Sequence, residues 1–341
     1  MLYVVIAYLW ASIWLYLLLG GADFGAGIVE LFSSKGNKLH TRNIMYKAIG
    51  PVWEANHMWL IIAVVILFVG FPQIYTLMST YVHIPLAAML LGIIARGTAF
   101  TFRNYDAIDD RWQKVYSKIF VYSSAVTPFF LGIIAGTTVS GTINPQADNF
   151  LDAYVLNWLN WFCVSVGCFT VAICGYLATI YIIGEVKEQS DKALFVRKAK
   201  FMIIAAFVFG ALVFATAAYS GVPLAQWIFG HTVNVIAIVL AIASLLFMWK
   251  SLYVSSPVLL RILAGFQVTM ILFAATSTHF PNIVLLHGGQ ALSLLEDVGS
   301  PKTIATLAWA LLIGSIFILP ALFYLMYSFG KENKEVIGHD A

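Results

Sequence analysis

The chain has 341 residues, of which 61% are hydrophobic and only 10% charged, with a formal net charge of +3. So few charges cannot cover a soluble globular surface, and so many apolar residues exclude a disordered chain. The small, segregated charge excess gives no reason to expect a nucleic-acid partner.

Several uninterrupted apolar stretches reach the roughly 20 residues needed to cross a bilayer. Taken in chain order, nine spans are expected at about 2–22, 52–70, 81–102, 119–139, 155–183, 201–219, 231–249, 262–280 and 303–327. The first apolar run, "MLYVVIAYLWASIWLYLLLGG", has no Lys or Arg ahead of it. A cleaved signal peptide normally carries a basic segment there, so this run is expected to stay as a span. No soluble domain fits between spans, and residues 1–341 are expected to form a single transmembrane domain. The fold class is all-α and polytopic, with nothing strand-like.

The basic residues orient the spans. All but two of the 19 Lys and Arg residues fall on one side under this count; Lys302 lies on the other, and Arg96 within a span. Lys and Arg accumulate in cytoplasmic loops, which puts the N-terminus outside and the C-terminus in the cytoplasm. The outer loops, such as "SGTINPQADNF" and "HFPNIVLLHGGQALSLLEDVGSP", are short or apolar enough to lie in the interface or pack on a partner.

The three cysteines, Cys163, Cys168 and Cys174, are spaced by five and six within one apolar segment. Neither spacing matches CxxC or CxxCH, so buried free thiols are expected. The glycines of "GGADFGAGIVELF" do not form a nucleotide loop, because a GxGxxG fingerprint needs a preceding strand. Gly21 and Gly25 instead have the small-xxx-small spacing of closely packed helices.

An ionisable group at the centre of a membrane helix costs about 2.5–3.5 kcal/mol on insertion scales, so each one needs a reason. Asp23 lies where the first span is expected to reach the cytoplasmic side, and Glu54 opens the second span from that same side. The two acids flank one short basic loop. Within "GPVWEANHMWLI", Glu54, His57, Met58 and Ile61 share a helix face, bracketed by Trp53 and Trp59. Glu54 also reads as an ordinary first-turn carboxylate near the positive end of a helix. His57 lacks the paired-histidine pattern of a membrane haem site. Arg96, about two turns from the inner end of the third span, either snorkels toward the cytoplasm or meets an acidic group such as a carboxylate or a haem propionate. Gln267 and the "ATSTH" run from Ala275 to His279 are expected to hydrogen-bond between helices.

"GADFGAG" followed across a short basic loop by "GPVWEANHMWLI" resembles subunit II of the cytochrome bd-type quinol oxidases. Trp53, Glu54, Asn56 and Trp59 match the family's Trp-acid-x-Asn-x-x-Trp element, and Arg96 with the Phe-x-Phe-Arg of residues 100–103 resembles the end of its third span. Many relatives carry Asp in place of Glu54 and Gln in place of His57. The resemblance implies two four-helix groups plus one peripheral helix, in a multi-pass protein of the bacterial or archaeal cytoplasmic membrane. It implies a complex that oxidises quinol and reduces dioxygen to water. Its two b-type haems and one d-type haem are carried by the partner subunit I, with no haem ligand and no metal in this chain. Quinol, lipid and a small single-span accessory subunit are further expected partners.

Within that family, Glu54, Asp23 and His57 are expected on a cytoplasmic proton-uptake path, with Trp53, Asn56, Trp59 and Arg96 shaping the niche around them. The competing readings are a proton- or ion-coupled secondary transporter and a purely structural partner subunit.

Overall fold

The computed structural model of the chain describes residues 1–34, 36–49, 53–105, 110–186, 188–253 and 256–335. Gly50 to Val52 of the second motif lie outside the described residues. So does the side chain of Glu54, although its backbone is helical.

The first apolar run forms α1 (Leu2–Leu15), a π-helical turn (Tyr16–Gly20) and α2 (Gly21–Leu31) without a break. The expected end at residue 22 is therefore corrected. The helix continues nine residues further, and Asp23 lies about two turns inside it rather than at its exit. The glycines that look like a terminus are a packing surface. A Cβ on Gly25 would run into the carbonyl oxygen of Cys174 and the Cβ of Ala178, so only glycine lets the two helices come this close.

A polar helix, α3 (Lys38–Ile49), connects to α4 (Trp53–Gly70). At Phe71–Pro72 the chain turns by 114° into α5 (Pro72–Tyr81), where proline takes the first helical position. The following helices are α6 (His83–Tyr105), α7 (Asp110–Ser140), the short α8 (Phe150–Tyr154) and α9 (Trp161–Ile183). The fifth span starts at Trp161 instead of 155 because Asn160 caps it, its side chain accepting from the Cys163 N–H at 2.9 Å. After these come α10 (Gln189–Tyr219), α11 (Leu224–Phe229), α12 (Thr232–Ser251), α13 (Pro257–Ser277) and α14 (Pro301–Glu335). Among the described residues, eight helices are long and apolar enough to cross a membrane, or nine if the bent α4–α5 pair is one span.

The expectation of no strand is also corrected. Asn282–Leu285 (β1) and Ala291–Ser293 (β2) pair antiparallel between α13 and α14. The apolar "NIVL" suits a pleated surface, and Gly288 and Gly289 turn the chain at φ +80° and +81°.

One apolar core joins Tyr16, Phe24, Ile28 and Trp59 to Cys174, Leu177, Phe195 and Met248. A second joins Val5, Leu9, Ile66, Phe71 and Ile74 to Val284 of the hairpin and Ile304 of α14. Cys163 and Cys174 are buried and Cys168 half-buried, all as free thiols. Outside these cores, large apolar side chains such as Leu91, Phe207 and Ile316 are exposed, an arrangement suited to lipid rather than water. The expected polar ties between helices are present. Tyr176 donates to Gln267, Trp10 Nε1 donates to Thr276 Oγ1 at 3.4 Å, and Asn234 Nδ2 donates to Thr278 Oγ1 at 2.7 Å.

Gly25→Ala should force α2 and α9 apart at a cost of about 1–3 kcal/mol. Gly265→Ala, with nothing within 4 Å of the added methyl, should be neutral. Thermal denaturation of the purified complexes checks this, and equal midpoints for the two variants would refute the packing account.

Candidate functional site

Asp23 and Glu30 are seven residues apart on α2, and Arg96 and Arg103 seven apart on α6. Two helical turns, about 10.5 Å, separate the members of each pair, and both stay near one face. The result is a ladder of two buried ion pairs, Asp23 with Arg96 and Glu30 with Arg103.

On the deeper rung, Arg96 Nη2 donates to Asp23 Oδ1 at 2.8 Å and to the Asp23 carbonyl oxygen at 3.0 Å. Arg96 Nε donates to Ser124 Oγ at 3.1 Å. The guanidinium lies between the rings of Phe24 and Phe120, 5.1 and 4.9 Å from their centroids, as a cation over aromatic faces. Arg96 is 1% exposed. Of its two expected placements, the structure overturns snorkelling and supports a meeting with a carboxylate. The reason is local: Asp23, Ser124 and two aromatic rings satisfy the cation where it stands.

His57 completes this rung from α4, its Nε2 3.5 Å from Asp23 Oδ2. Its ring is surrounded by those of Phe24, Tyr16 and Trp53, with centroids at 5.4, 6.0 and 6.4 Å. Trp53 in turn lies on Phe100 at 4.9 Å. Asn56 and Trp59 are buried on the same helix, Trp59 in the core that also holds Tyr16 and Phe24. The structure thus links Asp23, His57, Arg96 and Trp53 through successive contacts, with Trp59 in the adjoining core and Asn56 buried on the same helix. The Glu54 side chain is outside the described residues.

On the rung nearer the basic end, Arg42 reaches down from α3. Its Nε and Nη2 donate to Glu30 Oε1 at 3.0 and 2.9 Å, while Arg103 Nη1 donates to Oε2 at 3.1 Å. Phe120 separates the rungs, with Arg103 4.1 Å from its ring centroid. A cavity of about 10 Å³ lies against Glu30, Arg103, Tyr46 and Phe120, room for one water molecule. Glu30, Arg42, Ser124 and Tyr16 were not selected from sequence as site residues. The i, i+7 repeat of acids at 23 and 30, matched by arginines at 96 and 103, was the available signal.

These observations define a multi-pass helical membrane protein with a charged ladder buried among its first helices. The family model for cytochrome bd terminal oxidase subunit II matches residues 1–329, and the chain belongs to that family. A cytochrome bd ubiquinol oxidase subunit 2 from Bacillus subtilis (strain 168) is 30% identical over 182 residues, 52% of each chain. The cytochrome bd-I ubiquinol oxidase subunit 2 of Escherichia coli (strain K12) is 26% identical over 157 residues, 45% of this chain and 40% of that one. Those alignments span only about half or less of the relatives' length. A putative cytochrome bd menaquinol oxidase subunit II from Bacillus subtilis is 20% identical over 98% of this chain and 96% of its own. The structure of bd oxidase from Geobacillus thermodenitrificans has a chain of the same fold, with a TM-score of 0.72 at 17% identity, covering 96% of this chain and 98% of that one.

Removing one partner of a buried ion pair strands the other charge, at about 3–5 kcal/mol. Glu30→Gln, which leaves the buried Arg103 without its carboxylate, should therefore destabilise the protein by roughly that amount, and adding Arg103→Gln to it should restore part of the loss. Thermal denaturation of the single and double variants checks this; strictly additive losses would show that the pair does not couple.

Proposed function

We propose that the chain is subunit II of a quinol:dioxygen oxidoreductase of the bd type in a bacterial or archaeal cell membrane. In this reading it stabilises a haem-bearing subunit I and supplies part of a proton-uptake path from the cytoplasm. Family membership supports the oxidase reading. The b- and d-type haems of subunit I would transfer electrons from quinol and reduce dioxygen. His57 does not fit a haem ligand in this chain, since its Nε2 is turned to Asp23 and its ring is packed among three aromatic side chains. Among the described residues, no three His, Cys, Asp or Glu side chains converge as a metal site.

The observation that carries the proton role is the Asp23–His57 approach in a buried setting. Reducing dioxygen consumes protons, and drawing them through an apolar barrier needs titratable or water-holding groups along the way. Glu54 lies three residues before His57 in the first turn of α4, and His57 faces Asp23, an order along the chain that suits a relay. Arg96 fixes Asp23 through Oδ1 and the backbone carbonyl, leaving Oδ2 on the His57 side. Trp53, Asn56 and Trp59 would wall the niche.

The purely structural reading has its own support in the Asp23–Arg96 pairing, which resembles a packing device. Purification of the native complex through a tag on this chain should give b- and d-type haem signals in a reduced-minus-oxidised spectrum. In that complex Glu54→Gln should slow oxygen reduction about tenfold or more, a barrier rise of at least about 1.4 kcal/mol, with haem signals intact. Unchanged turnover and proton uptake would leave only the structural role. A haem-free intact native assembly would end the oxidase reading.

A further inference from the structure

Four polar atoms around the deeper rung are buried and have no protein hydrogen-bond partner among the described residues: Tyr16 Oη, Asp23 Oδ2, His57 Nδ1 and Arg96 Nη1. Buried polar groups are almost always satisfied by protein or by ordered water, so four on residues that pack against one another mark a polar niche. The arginine Nη1 only donates, the carboxylate oxygen accepts, the tyrosine hydroxyl does both, and the histidine nitrogen does either according to its tautomer. An anion would be repelled by Asp23 and a cation by Arg96. An apolar occupant would leave all four atoms unsatisfied. Water suits the set.

The backbone is shaped for the same place. Tyr16 opens the π-helical turn that precedes α2, and such turns recur at functional sites. Its ring folds back over Gly20, where a Cβ would lie 2.9 Å from two of its carbon atoms. That leaves the ring beside His57 and Phe24, at 6.0 and 6.2 Å, with its hydroxyl buried. A tyrosine placed only for packing would be replaced without loss by phenylalanine.

We infer that Tyr16, Asp23, His57 and Arg96 hold a small cluster of ordered water, with the Tyr16 hydroxyl as the residue that positions it. Tyr16 precedes Asp23 by seven residues, and because its ring folds back over Gly20 to lie beside Phe24 and His57, it joins the niche from the side away from the basic end. The proposed role for this water, carrying protons past Asp23, rests on the proton-path reading above. Each water would accept a proton from one neighbour as it releases one to the next, leaving the charges of Asp23 and Arg96 as they were.

The test uses the complete oxidase complex with Tyr16→Phe, which removes only the hydroxyl. A density map fine enough to resolve water should show ordered water within hydrogen-bonding distance of Tyr16 and Asp23. Infrared difference spectra taken in ordinary and oxygen-18 water should contain bands that shift with the isotope and disappear in Tyr16→Phe. Turnover should fall about tenfold while the haem spectrum and thermal midpoint stay unchanged. A dry niche in the map, or isotope-sensitive bands that persist in Tyr16→Phe, would overturn the water site. The two readings fail separately. If Glu54→Gln and Asp23→Asn slow turnover while Tyr16→Phe does not, the path stands and the role of Tyr16 falls. If the bands vanish in Tyr16→Phe but none of the three variants slows turnover, the water site stands and the path falls.

Discussion

A guanidinium inside an apolar slab has to be neutralised on the spot, and Arg96 imposes that requirement on everything around it. Its charge is met by Asp23, its Nε by Ser124, and its two faces by Phe24 and Phe120. These partners come from two further helices, α2 and α7, so the cation fixes how three helices sit together. The glycines of α2 follow from the same need. With Gly25 against Cys174, and Gly27 where a Cβ would run into Ser124, α2 is held closely between α9 and α7. A bulkier residue at either position would move Asp23 away from the arginine that has no other carboxylate partner among the described residues.

The same constraint extends to the polar end of the molecule. Arg42 binds Glu30, His40 Nε2 meets Asp191 Oδ1 at 2.6 Å, and Lys198 Nζ donates to Ser33 and Thr41 hydroxyls at 2.6 and 2.8 Å. Three ties therefore fasten α3 and the turn before it to the inner ends of α2 and α10. They differ in strength: His40 is exposed, where a single pair contributes little, whereas Glu30 is buried and its loss would be felt. Since α3 leads through residues 50–52 into α4, Arg42 anchors the segment that delivers the Glu54 and His57 motif.

Much of this was legible in the amino-acid sequence because membrane physics leaves a coarse signature. Apolar runs and the one-sided distribution of Lys and Arg give the spans, and the isolated acid at 23 and arginine at 96 mark the site. The ends were harder to read. Residues 189–200 and 110–118 are polar yet helical, because hydropathy reports where a helix leaves lipid and says nothing of where its hydrogen bonds stop. The hairpin at 282–293 was hidden for a related reason, as a short apolar segment beside a membrane looks alike as strand or as interfacial helix. Glu30 was overlooked because it adjoins a basic loop, where a carboxylate looks solvated. Tyr16 carried no signal at all, since a tyrosine in an apolar span is ordinary until its hydroxyl is seen to be buried.

The two rungs differ in how fully each carboxylate is held. Both carboxylate oxygens of Glu30 are taken by arginines, one by Arg42 and the other by Arg103. Each of these is a charge-assisted hydrogen bond, the strongest kind available to a carboxylate. Asp23 is held by arginine through Oδ1 alone, and its Oδ2 faces His57 Nε2 at 3.5 Å. Two acids on one helix face, two turns apart, thus differ in the number of arginines each meets: Glu30 is clamped between two, and Asp23 is held by one.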